Sequence, residues 1–143
     1  MTFYSFSRLD VDEIVDFYKS NFSDGWSKTM LISAFESGRF YSLGVKDEEG
    51  IVALITYSVA MDQADVEGIV TRFNKRKNGV AEKLYFYAEK DLIRRGVKKV
   101  FLEVREGNFP AKNLYNKCGF KDVSVRKNYY SDGENAVVMG KEL

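Results

Sequence analysis

Apolar residues recur along this chain with two different periods, and the switches between them mark out the elements. Residues 2–8 alternate aromatic and polar positions, the two-residue period of a half-buried strand. Behind them Ile14, Val15, Phe17 and Tyr18 form one helical stripe, and Asp10 with Glu13 has the spacing of a capping box. That helix is expected to stop near Phe22, before Ser23-Asp24-Gly25. Ser27 suits the cap of a short second helix finished by Gly38, with Trp26 and Leu31 placed to staple its start. Residues 40–46 and 51–61 read as strands joined by the polar turn Asp47-Glu48-Glu49-Gly50, and Asp62-Gln63 leads into a third strand over 64–72. A long helix over 79–95 carries Val80, Leu84, Tyr87, Ala88 and Leu92 at helical spacing and ends at Gly96, which suits a left-handed terminator. Residues 98–104 form a compact apolar strand. Asn108 can cap a helix over 109–118, with Pro110 tolerated in its first turn. Strands over 120–129 and 136–142 close the chain.

Two helices after the first strand, then helices alternating with later strands, predict an α/β fold of mixed α+β character. The expected architecture is a single domain over 1–143, a mixed sheet of about seven strands with helices on both faces.

Composition narrows the chemistry. Lys plus Arg number 22 against 21 Asp plus Glu, a near balance that argues against general nucleic-acid binding. No apolar run approaches the ~20 residues of a membrane span, and the first residues lack the charged start and apolar core of a signal peptide. The single cysteine, Cys118, rules out an internal disulfide and suits a reducing cytoplasm. Histidine is absent. Serine–histidine–aspartate and cysteine–histidine catalysis are therefore impossible within the chain, as are histidine-built zinc sites. Proton transfer falls to carboxylates, tyrosines, lysines or water.

The stretch 67–84 joins a strand to a helix through a basic, glycine-containing loop. Such a junction gathers unpaired N–H groups and the positive helix end at one point, and Lys75, Arg76 and Lys77 add charge there. Arg76 to Ala81 has the form R-x-x-G-x-A, suited to a phosphate or pyrophosphate; a solvated surface loop is the alternative. Glu103, on a strand with apolar residues on both faces, is either a base whose burial raises its proton affinity or a structural partner of Arg105 or Arg126. Glu67 is a second carboxylate candidate, or an edge residue in water. Tyr115 shares a helical stripe with Ala111, Leu114 and Cys118, and is either a core tyrosine or a proton donor. Trp26 and the pair Tyr129-Tyr130 either line a ligand groove or pack.

Taken together, these motifs resemble those of the GNAT N-acetyltransferase superfamily. The R-x-x-G-x-A loop at 76–81 is followed by Leu102-Glu103-Val104-Arg105-Glu106-Gly107-Asn108, and then by N-x-x-A-x-x-L-Y-x-x-x-G-F over 108–120. Trp26-Ser27, Arg126-Lys127-Asn128-Tyr129-Tyr130 and residues 134–139 are similar more narrowly to the RimI-type ribosomal-protein-alanine N-acetyltransferases. The resemblance implies acetyl-CoA as cofactor and a protein N-terminal α-amine as acceptor. A small-molecule or lysine amine is the alternative acceptor, and a silent acyl-CoA-binding module the alternative role. By position it implies that Arg76, Lys77, Asn78, Gly79, Val80 and Ala81 hold the pyrophosphate, and that Val70 and Thr71 meet the pantetheine arm. Asn108 falls at a CoA contact, Glu103 at the general base, Tyr115 at the general acid, and Glu67 where other members place a base. Trp26, Tyr129 and Tyr130 would shape the acceptor site. Two features depart from the family pattern: Arg72 and Phe73 replace an acidic residue and a proline before the loop, and Ala81 replaces the third loop glycine, a mild and common variation.

Overall fold

Apolar runs on either side of the Asp47–Gly50 turn form an antiparallel hairpin, β2 (Phe40–Asp47) on β3 (Gly50–Ala60), around which the sheet is built. The computed structural model describes residues 1–22 and 25–143; the turn expected at Ser23-Asp24 lies outside them. With β1 (Thr2–Phe6), β4 (Gln63–Thr71), β5 (Lys99–Arg105), β6 (Lys121–Arg126) and β7 (Ala136–Glu142), the strands form one seven-stranded mixed sheet in the order β1-β2-β3-β4-β5-β7-β6. All neighbours run antiparallel except β4 and β5.

Helices α1 (Val11–Asn21) and α2 (Lys28–Glu36) cover one face, where Ile14, Phe17 and Leu31 meet Phe40 and Leu54. On the other face α3 (Val80–Arg94) and α4 (Phe109–Lys117) bury Leu84, Tyr85, Leu92 and Tyr115 against Ile55, Val100 and Leu102. Covered on both sides, β3 is buried without a break from Ile51 to Tyr57.

Three expectations are corrected. The first strand stops at Phe6, because Ser7 and Asp10 form the capping box themselves: Asp10 Oδ2 accepts the Ser7 N–H at 2.7 Å, and Ser7 Oγ accepts from Leu9. Glu13 is thereby free to pair with Lys46 at 2.7 Å. The strand expected over 120–129 ends at Arg126, since Asn128 takes φ +53° and donates its N–H to Asn135 Oδ1. And β5 is not covered on both sides: Phe101 is half-buried and Glu103 exposed.

The feature that positions the site is a divergence. β4 and β5 pair only from Gln63↔Lys99 to Val66↔Leu102. Beyond that β4 stays with β3 as far as Thr71↔Ala53, while β5 follows β7 to Arg105↔Ala136. A bulge helps part them. Thr56 opposes Gly68 and Tyr57 opposes Val66, so Glu67 is the extra residue in its strand, and a bulged strand bends.

Candidate active site

Past Val66 and Leu102 the two strands open like a V, and β4 borders one cleft beyond that point and another before it. The first, about 760 Å³, lies between the end of β4, the start of α3 and α4. Val70 and Thr71 line it with their backbone edge toward β5 unclaimed by a strand, having paired only with Leu54 and Ala53 behind. At its mouth the loop takes left-handed backbone at Lys77 (φ +66°) and Gly79 (φ +74°). Gly79 is the N-cap of α3 and supplies no side-chain acceptor, so the first N–H groups of the helix lack a side-chain cap where its first turn lines the cleft. A Cβ added at Gly79 would meet nothing within 4 Å, so this face of the loop is open to a ligand. Uncapped N–H groups, a helix N-terminus and the cations Lys75, Arg76 and Lys77 fit a diphosphate. Val80 and Ala81 complete the wall, whereas Asn78 lies outside the lining and turns its side chain toward Lys75 O.

Arg72 and Phe73, where the family pattern has other residues, anchor this loop. The Arg72 guanidinium forks onto Asp47, 3.0 Å to each oxygen, and reaches Ile51 O. The same guanidinium holds the Asp47 carboxyl down at about 2. Phe73 donates its N–H to Asn21 Oδ1, and Arg76 lies 5.2 Å from the rings of both Phe22 and Phe73 while donating to Thr71 O.

The opposite wall is α4. Asn108 lines the cleft, but its side-chain oxygen caps the helix by accepting the Ala111 N–H at 3.2 Å. Tyr115 is only 7 % exposed and yet borders the cleft. Burial, with Cys118 and Tyr130 nearby, pushes its hydroxyl up to about 12, so it holds its proton throughout the neutral range.

The second cleft, about 750 Å³, opens on the sheet face away from α3, with Asp65, Phe101 and Glu103 on its floor and Arg126, Tyr129 and Tyr130 on its wall. Glu103 lies 3.8 Å from Arg126, as one structural reading anticipated; Arg105 instead pairs with Asp132 and Glu134. The Glu103 carboxylate raises the Tyr129 hydroxyl above its ordinary value. Glu67 is exposed, as the reading of a carboxylate in water anticipated, yet it stands on an interior strand and borders this cleft, where partial burial of its carboxyl and then Asp65 raise its proton affinity. Asp65 is raised in the same direction by burial and by Glu103. Three carboxylates thus stand side by side where the strands part.

Trp26 does not join the tyrosines. It packs edge-on against Phe40, ring centres 5.3 Å apart, and lines a separate hollow of about 300 Å³ that shares only Glu67 with the second cleft. The sequence reading passed over Asp65, although its spacing of two from Glu67 on a strand was a signal. It also passed over Phe22, whose place beside the loop depends on the end of α1.

The family model described as Acetyltransferase (GNAT) family matches residues 11–120, most of the chain. The chain belongs to the GNAT family. It is accordingly an acetyltransferase, an enzyme of the acyltransferase class. Among GNAT relatives, the chain is 32 % identical over 122 residues to a [ribosomal protein bS18]-alanine N-acetyltransferase of Haemophilus ducreyi, covering 82 % of this chain and 83 % of that protein. The crystal structure of the ribosomal-protein-S18-alanine N-acetyltransferase from Escherichia coli superposes with a TM-score of 0.88 at 26 % identity, covering 99 % of this chain and 92 % of that one. The GNAT fold also matches that of an aminoglycoside 6'-N-acetyltransferase complexed with coenzyme A, with a TM-score of 0.83 at 18 % identity over 99 % and 97 % of the two chains.

Proposed function

We propose that this chain transfers an acetyl group from acetyl-CoA to the N-terminal α-amine of a protein, a ribosomal protein by likeness to its relatives, in the cytoplasm. The observation that carries the reading is the V opening at Val66 and Leu102. It lies between the basic glycine loop that borders one cleft and the carboxylate-floored, tyrosine-walled second cleft.

In this reading acetyl-CoA supplies a thioester, an activated acyl group. Its diphosphate is held by the loop at 76–81, and the edge of β4 at Val70 and Thr71, which β5 leaves unpaired, orients the arm as an added strand would. Backbone N–H groups near Val70 face the region where charge develops on the acyl oxygen. The acceptor amine must give up a proton before it attacks, and Glu103 or Glu67 takes it, directly or through water. Tyr115 holds a proton at its Oη on the cofactor side, available for the departing sulfur.

An α-amine suits such modest bases. Its pKa is about 7.7–8.0 against about 10.4 for lysine, a difference worth about 3.5 kcal/mol in the cost of deprotonation.

Mass spectrometry of the protein incubated with acetyl-CoA and a panel of peptides is the test. Peptides with N-terminal alanine are expected to gain one acetyl group on the α-amine. Turnover confined to lysine side chains or small amines would replace this acceptor with another. Tight coenzyme A binding by calorimetry with transfer to no amine would make the chain a silent binding module.

A further inference from the structure

Arg105 closes β5 two residues after Glu103, and its guanidinium turns out of the cleft to grip the loop that forms the cleft's far wall. Nη1 lies 2.8 Å from Asp132 Oδ2 and 3.0 Å from Glu134 Oε1, and the guanidinium lies 4.0 Å from the centre of the Tyr130 ring. Glu134 uses its other oxygen to accept the Gly107 N–H at 2.9 Å, in the turn just before Asn108 caps α4. The loop's backbone closes around these contacts. Tyr130 donates its N–H to Glu134 O, Gly133 to Tyr130 O, and Glu106 to Asn135 O. One cation thus ties together the end of β5, the loop over 127–135 and the turn that launches α4, the pieces that carry Glu103, Tyr129 with Tyr130, and Tyr115.

The network is ill suited to holding up the fold. Its side chains are 41 %, 60 % and 33 % exposed for Arg105, Asp132 and Glu134, and exposed ion pairs add little to global stability. What a guanidinium that bridges two carboxylates through Nη1 and lies over a ring supplies is orientation. Arg105 borders neither the cofactor cleft nor the acceptor cleft.

We infer that Arg105 is a positioning residue for acceptor binding, setting Tyr129 and Tyr130 against the acceptor cleft without touching acceptor or cofactor. The inference rests on reading that cleft as the acceptor site.

The experiment compares Arg105→Ala, Arg105→Lys, Glu134→Gln and the double variant Arg105→Ala/Glu134→Gln with the unaltered protein. With the peptide it acetylates, Arg105→Ala is expected to raise the acceptor KM about tenfold while kcat falls less than about threefold, the signature of lost binding rather than lost chemistry. The Kd for acetyl-CoA by calorimetry stays within about twofold, and Tm within a few degrees. Arg105→Lys, which keeps the charge but not the planar group over the Tyr130 ring, recovers only part of the loss. The double variant is no worse than Arg105→Ala, because both changes cut one network. Hydrogen exchange of the Gly107, Tyr130 and Gly133 amides speeds up in Arg105→Ala while the β3 amides are unchanged, a readout that needs no acceptor. An unchanged KM, an additive double variant, full recovery by lysine, or a parallel loss of Tm and acetyl-CoA binding would each overturn the inference. Should Arg105→Ala not fold, Glu134→Gln carries the same KM and exchange tests. If the unaltered protein acetylates some other amine and no α-amine, the acceptor reading fails by itself, and the Arg105 comparison proceeds with that amine.

Discussion

A carboxyl drawn partly out of water beside a second carboxylate holds its proton more tightly than a free one, and Glu67 is so placed. Glu67 stands at the cleft beside Asp65, whereas Glu103 has Arg126 at 3.8 Å. The raised affinity of Glu67 means that its folded form favours the protonated state. Its contribution to stability is present below its unfolded value and lost as pH rises through the folded one. Glu67→Gln is therefore expected to raise Tm at pH 7 but not below about pH 4, where the carboxyl is already protonated; equal shifts at both pH values would contradict the cause given. In activity, Glu103→Gln is expected to flatten the alkaline-rising limb of the rate profile. If Glu67→Gln does so instead, the two carboxylates exchange roles, and the crowding at Glu67 supplies the reason. Tyr115→Phe is expected to reduce kcat by about a hundredfold with acetyl-CoA affinity nearly intact, and turnover equal to the unaltered protein would remove Tyr115 from the chemistry. Because its hydroxyl is pushed up to about 12, a decline in rate at pH 8–10 would belong to another group.

Among the elements, the junction of β4 with α3 depends most on a single residue. Gly79 sits at φ +74° with open space where a side chain would begin. Gly79→Ala therefore meets no clash and costs about 1 kcal/mol of backbone strain, but its methyl occupies the face offered to the diphosphate. Calorimetry is expected to show weaker acetyl-CoA binding out of proportion to the small drop in Tm; unchanged binding would move the diphosphate elsewhere. The approach to this loop is braced by the Arg72–Asp47 fork, which ties the β2–β3 turn to the end of β4. Asp47 is lowered from 3.8 to about 2, so its contribution is present above its unfolded value and lost as pH falls through that interval. Asp47→Asn is expected to flatten the acid-induced loss of structure between those two values, followed by circular dichroism.

Across the whole molecule the core and the site are separable. Leu84 is fully buried between α3 and the sheet, and Leu84→Ala is expected to cost about 2–5 kcal/mol in urea denaturation, with acetyl transfer per folded molecule retained. All seven strands and all four helices were legible in the chain, because strand alternation, helical stripes and turn residues act over a few neighbours. Element ends were less legible where a side chain found a local partner instead, as at Ser7 with Asp10 and at Asn128 with Asn135.

The pattern of residues by itself determined the order of elements, the basic glycine turn before α3 and the family, since each is written in contiguous positions. Which carboxylate is crowded and which is paired was decided only when β4 bulged at Glu67 and parted from β5. The same holds for the separation of Trp26 from Tyr129-Tyr130, and for what Arg105 grips. Proton affinity and orientation depend on burial and on neighbours remote in the chain, and those exist only once it is folded.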